Sequence, residues 1–207
     1  MHRTGPTAIA LLLFATPAFT QTAPPPAKAW SFFASAYTYV VPTASNYMQP
    51  TFTADRDRLH LEARYNYEAQ KTGSAWIGWN FSGGDAVEWQ LTPIVGTIFG
   101  EVDGFAPGYK GSIAWRRLSL STESEYVIDT TNTTNSFLYN WSELTYDMTE
   151  SFRAGLVVQR TRAYQTDRDV QRGIMAGYSY RRAEFAFYLF NPDEDKPTTV
   201  FSVAFQF

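Results

Sequence analysis

The last twelve residues, KPTTVFSVAFQF, constrain what this chain can fold into more than any other stretch. Side chains of an extended strand alternate between its two faces. Phe201, Val203, Phe205 and Phe207 therefore share one face, and Ser202, Ala204 and Gln206 share the other. Four apolar side chains on one face, the last of them a terminal Phe with no polar tail, need an apolar environment to receive them.

The same period runs from Trp30 onward. It predicts about twelve strands, at 30–41, 47–54, 58–68, 74–82, 86–99, 108–116, 118–128, 136–146, 151–164, 169–180, 183–190 and 198–207. Most approach the roughly 9–11 residues that a tilted membrane strand requires. Leu59, Leu61, Ala63, Tyr65 and Tyr67 oppose His60, Glu62, Arg64, Asn66 and Glu68; Val87, Trp89 and Leu91 oppose Glu88, Gln90 and Thr92. The first and eighth strands are less regular, and the eighth needs a bulge to keep Trp141 and Leu144 on one face. Tight joins are expected at Asp55–Asp57, Ser82–Asp85, Arg116–Arg117, Met148–Glu150 and Arg181–Arg182. Longer polar joins are expected at Gly100–Pro107, Asp129–Asn135 and Asn191–Pro197.

With its terminal aromatic strand, even strand count and alternation of short and long joins, the chain resembles bacterial outer-membrane β-barrel proteins as an architecture class. The resemblance implies an all-β, transmembrane, antiparallel up-and-down β-barrel with short periplasmic turns, inserted among outer-membrane lipids. It also implies that Phe201, Val203, Phe205 and Phe207 form part of the signal read by the barrel assembly machinery. Aromatic residues near strand ends (Trp30, Tyr65, Tyr67, Trp115, Tyr126, Tyr164, Tyr178 and Tyr180) match the interfacial girdles of such barrels.

Composition agrees. Aromatics make up 17% of the 207 residues, and charged residues, at 18%, fall below the usual quarter or so. A mean hydropathy of -0.28 suits a membrane barrel because half of each strand faces a polar interior. The net charge of -3 offers no basic surface for nucleic acid. Without cysteine there is no disulfide, thiol nucleophile or thiolate metal site. Residues 1–20 read as a signal peptide: His2 and Arg3 precede the apolar run Ala8–Ala15, which is too short to span a bilayer as a helix. Residues 21–29, with Pro24–Pro26, form a stiff leader, and residues 30–207 form the barrel as one domain.

Parity assigns a set of inward, pore-lining side chains: His60, Glu62, Arg64, Glu68, Glu88, Lys110, Arg116, Glu123, Glu125, Arg153, Gln159, Gln171, Arg181 and Glu184. Ionisable groups in a membrane protein must face water or one another. Two arrangements satisfy that requirement, a narrow water-filled pore or a paired network that fills a closed lumen. The wider barrel favours the pore, a passive channel for small hydrophilic solutes, over a non-conducting structural or surface-interaction barrel. An outer-leaflet lipid enzyme is the third reading. It is disfavoured because His60, the histidine of the barrel segment, lies inward at the periplasmic end, and no G-x-S-x-G elbow is present. Asp193, Glu194 and Asp195, with Glu101 and Asp103, read as solvated acidic loops, so no catalytic residue, metal or cofactor is expected.

Overall fold

The structure is a computed structural model and describes residues 29–42, 44–160 and 170–207. The expected signal peptide, nearly all of the leader, Tyr164 and the tail of the ninth expected strand lie outside the described residues. Among the described residues thirteen strands occur in the order β1 Ser31–Val40, β2 Tyr47–Arg56, β3 Leu59–Tyr65, β4 Thr72–Trp79, β5 Phe81–Gly83, β6 Glu88–Gly100, β7 Gly104–Trp115, β8 Leu118–Asp129, β9 Phe137–Asp147, β10 Phe152–Arg160, β11 Val170–Tyr180, β12 Ala183–Phe190 and β13 Thr198–Gln206. β4 and β5 are one wall strand interrupted at Asn80, and both pair with β6. The result is a closed twelve-strand antiparallel barrel in which each strand pairs with its sequence neighbours and β1 pairs with β13.

Asn80 breaks the strand because its side chain is recruited inward. It donates to Asp55 Oδ1 at 2.7 Å and accepts from Thr92 Oγ1 at 2.7 Å. β3 ends earlier than the period suggests, at Tyr65. Asn66 takes a positive φ of 58° and ties its side chain to the Met48 carbonyl and the Lys71 amide, a conformation Asn tolerates better than most residues. The expected long join Gly100–Pro107 is instead a three-residue turn, Glu101–Asp103, because β7 already starts at Gly104. Pro107 sits within that strand opposite Val95, facing outward, and the β7–β8 ladder skips its position and Ala106 without losing register. β9 needs no bulge. Trp141 points inward and Leu144 outward, and pairing to β8 and β10 is continuous through both.

The two faces differ as the period requires. Outward side chains such as Ile77, Val95, Ile113, Leu156, Ile174 and Phe201 are each at least half exposed and make a continuous apolar girth. Trp30, Tyr65, Trp115, Tyr126, Tyr178 and Tyr180 are exposed near strand ends. Tyr67 departs from that set: it folds inward, its ring 5.0 Å from that of Tyr139. Inside, the half of the lumen next to the longer loops is filled. Every strand of the barrel wall contributes an inward residue no more than 4% exposed there, Tyr39, Arg64, Ile98, Val127, Gln159 and Val200 among them. Gly96 makes that packing possible, since a Cβ there would lie 2.3 Å from the Trp76 ring.

Phe207 sits at the seam. Its backbone exchanges two 2.9 Å hydrogen bonds with Phe32, and the two rings stack at 6.1 Å. Deleting Phe207 removes the last bond pair, and replacing it with Asp puts a charge where the closing strand has its apolar edge. Folded yield in refolding into lipid should therefore drop sharply. Wild-type yield of the variant would show that closure does not depend on this residue.

A charged and an aromatic wall in the lumen

Arg64 stands on β3 with Glu62 two residues away, so the strand period puts both on the inward face. The Arg64 side chain has no exposed surface. Its Nε donates to Glu62 Oε1 at 2.9 Å and Nη1 to Glu125 Oε2 at 2.9 Å, while Nη2 lies 2.7 Å from Glu123 Oε1. Glu68 Oε1, 3.5 Å from Nη1, is held by the Ser74 hydroxyl at 2.7 Å, and Ser74 in turn accepts from Trp76 Nε1 at 2.9 Å. The guanidinium also lies against two rings, 4.4 Å from the centre of Tyr67 and 4.5 Å from that of Trp76. A planar cation with a fork of donors suits this crowded setting better than a lysine would.

The network continues toward the tight-turn end. Lys110 on β7 donates to Glu62 at 2.9 Å and lies 3.4 Å from Glu123. His60 is held from both sides, by Asp55 at 2.8 Å and Glu62 at 3.1 Å. Four glutamates thus face two permanent cations, with Asp55 and His60 extending the line. Glu68 Oε2 and Glu125 Oε1 are buried with no hydrogen-bond partner. The cluster carries more acid than it compensates.

The opposite wall is aromatic. Tyr37 on β1, Trp141 on β9 and Tyr188 on β12 pack together, with Trp141 edge-on to Tyr37 at 5.7 Å and to Tyr188 at 5.3 Å. Phe190 continues the cluster 5.5 Å from Trp141, and Tyr39 stacks on Tyr47 at 4.7 Å. Between the walls lies a cavity of about 330 Å³, lined by Lys110 and Glu123 on one side and by Trp141, Tyr188, Glu143 and Arg153 on the other. Gln90, Ser112 and Ser121, all exposed, line it toward the tight turns.

The structure brings His60, Glu62, Arg64, Lys110, Glu123 and Glu125 into one cluster, with Glu68 joining from the loop after β3. Gln159 and Gln171 form a separate buried pair at 2.8 Å. Arg153 reaches Glu184 at 3.0 Å, lying over Gly177, where a Cβ would come within 2.9 Å of it. Glu88 begins β6 and is exposed at the tight-turn end. Arg116 and Arg181 are not in the lumen. They occupy turns with a positive φ of 56°, each over the ring of its exposed neighbour, Trp115 or Tyr180. Asp55, Tyr37, Trp141, Glu143 and Tyr188 were not singled out from the sequence. Parity placed Tyr188 inward with Glu184, but the aromatic residues singled out were those of the outer girdle. Among the described residues no group of three or more His, Asp or Glu side chains is placed to hold a metal ion.

Replacing Arg64 with Met should cost about 3–5 kcal/mol, because it leaves buried carboxylates without their cation. Adding Glu68→Gln and Glu125→Gln should recover part of the loss, read as the denaturant midpoint of the barrel in lipid. An Arg64→Met barrel as stable as wild type would show that the network is not held by this residue.

Two solved structures share the architecture. A KdgM porin superposes with a TM-score of 0.58 at 10% identity, over 84% of this chain and 99% of the porin. A KdgM porin in complex with disordered oligogalacturonate superposes with a TM-score of 0.56 at 10% identity, over 86% of this chain and 99% of its own. No protein-family model matches the chain, and no curated protein matches it. At this identity the likeness is one of fold: a closed twelve-strand antiparallel barrel like that of KdgM porin.

Proposed function

We propose that the chain is a porin-like barrel of the bacterial outer membrane that passively admits small hydrophilic solutes. The observation that carries this reading is the cavity of about 330 Å³ inside a barrel whose outward face is apolar. Such a wall belongs in lipid, while ionisable side chains of both signs on the inside need water or partners. Outer-membrane lipids and the barrel assembly machinery are the surroundings this reading requires. The likeness to KdgM porins supports the architecture, and the solute class here rests on the lumen alone.

Charge sets the expected preference. Glu62, Glu123 and Glu143 line the passage with Lys110 and Arg153, while Arg64 is fully enclosed by carboxylates and rings. Fixed charges in a narrow, partly dehydrated passage act through an effective dielectric well below that of water. The excess of acid favours cations and disfavours polyanions.

A second reading has its own support. The filled half of the lumen next to the longer loops suits a barrel that conducts nothing and serves as a structural or surface-interaction element. Planar-bilayer recording separates the two. A porin-like barrel should give small, cation-preferring steps. Glu123→Lys should move the reversal potential toward anions and Arg153→Glu toward cations, with both shifts shrinking in high salt. Silence in the bilayer from wild type and variants, with lowered melting temperatures for the variants, would replace the channel with the structural barrel.

A further inference from the structure

Glu143 stands apart from the Arg64 network. It projects inward from β9 into the cavity, two residues from Trp141 on the same face. A single carboxylate oxygen, Oε1, accepts from both Trp141 Nε1 at 2.7 Å and Tyr188 Oη at 3.0 Å. These two donors fix the carboxylate against the aromatic wall. Glu62, Glu123 and Glu184 each have a cationic side chain within ion-pair distance. Among the described residues Glu143 has none, although it lines the same cavity as Lys110 and Arg153.

An anchored carboxylate with no cation in contact, Arg153 of the same cavity being paired to Glu184, beside the mutually packed rings of Tyr37, Trp141 and Tyr188, is a complementary surface for one ligand chemistry. We propose that this corner of the lumen is a subsite for a small organic ammonium ion. The charge is met by Glu143, and the N-alkyl groups are met by the three rings through cation–π and apolar contact. The cavity of about 330 Å³ is small for a ligand site but within the usual range of about 300–1,000 Å³. An anionic solute would meet Glu143 and Glu123 together, and the cavity's cations, Lys110 and Arg153, are already paired to carboxylates. A neutral sugar could hydrogen-bond to Glu143 but would leave its charge uncompensated. The subsite rests on the porin-like reading only in that solute must enter from water, past Gln90, Ser112 and Ser121.

The test titrates choline, and separately its neutral isostere dimethylbutanol, into the folded full-length barrel in detergent at low salt, read by calorimetry and tryptophan fluorescence. Choline should bind about tenfold or more tightly than the alcohol, the size of a desolvated cation–π contact plus an ion pair. Glu143→Gln, which keeps an acceptor for Trp141 and Tyr188, should erase that preference. Tyr37→Leu, which removes one ring and the hydroxyl bonded to Tyr188 but keeps the carboxylate and both groups that donate to it, should weaken choline several-fold. Equal binding of choline and the alcohol, tighter binding of glucose, or a choline affinity unchanged by both variants would overturn the subsite. Bilayer recording on the same preparation keeps the two readings apart. Choline binding without current removes conduction and leaves the subsite; current without choline binding does the reverse.

Discussion

An apolar surrounding offers an unpaired backbone N–H or C=O nothing to bond to, and each such group costs several kcal/mol there. The twelve-strand wall answers this by pairing every strand on both sides, with β1 returning to β13 through Phe32 and Phe207. Once the ladder is closed, the strand period leaves no freedom about which side chains face inward. Val95, Ile113 and Ile174 must face out, and Glu62, Arg64 and Glu125 must share the interior. Burial of the charged cluster is therefore a consequence of closure, and the cluster's composition is what makes that burial tolerable.

Arg64 is central to that tolerance. It receives carboxylates from β3, β8 and the loop after β3, so a single guanidinium ties strands that are not neighbours in the wall. The aromatic wall has a different role. Tyr37, Trp141 and Tyr188 fill space that charge would otherwise require water to fill, and Trp141 and Tyr188 hold Glu143 by hydrogen bonds instead of ion pairs. The two walls leave the cavity between them polar on one side and aromatic on the other.

Much of this was legible in the sequence. The strands expected at 47–54 and 183–190 are found at Tyr47–Arg56 and Ala183–Phe190, bounded by turn residues as the alternation suggests. What was not legible has physical reasons. Asn80 breaks a strand through a side-chain bond to Asp55, a contact 25 residues away that no local pattern encodes. Gly104–Gly108 looks like a loop by composition, yet Pro107 is accommodated because the gap it leaves is two positions in the β7–β8 ladder, while the β6–β7 ladder runs on unbroken. Arg116 and Arg181 were carried inward by extending parity beyond the strand ends, where a positive φ turns the chain away. Tyr67 was expected among the outward aromatics, and Trp141 was weighed only for a bulge that would set it on the face of Leu144. In fact inward aromatics make up the second wall of the lumen.

The absence of cysteine from the chain opens a direct test of the central claim, that one end of the lumen is wet, the other is packed, and the outer face is in lipid. Single cysteines at Ser112, Ser121, Leu120, Ile113, Val157 and Val200 can be exposed to a charged, membrane-impermeant thiol reagent in the lipid-reconstituted barrel. The account predicts fast labelling at Ser112 and Ser121, protection of Leu120 and Ile113 by lipid, and protection of Val157 and Val200 by packing. Labelling of Leu120 as fast as Ser121 would contradict the parity of the wall, and labelling of Val157 and Val200 at that rate would contradict the packed half of the lumen.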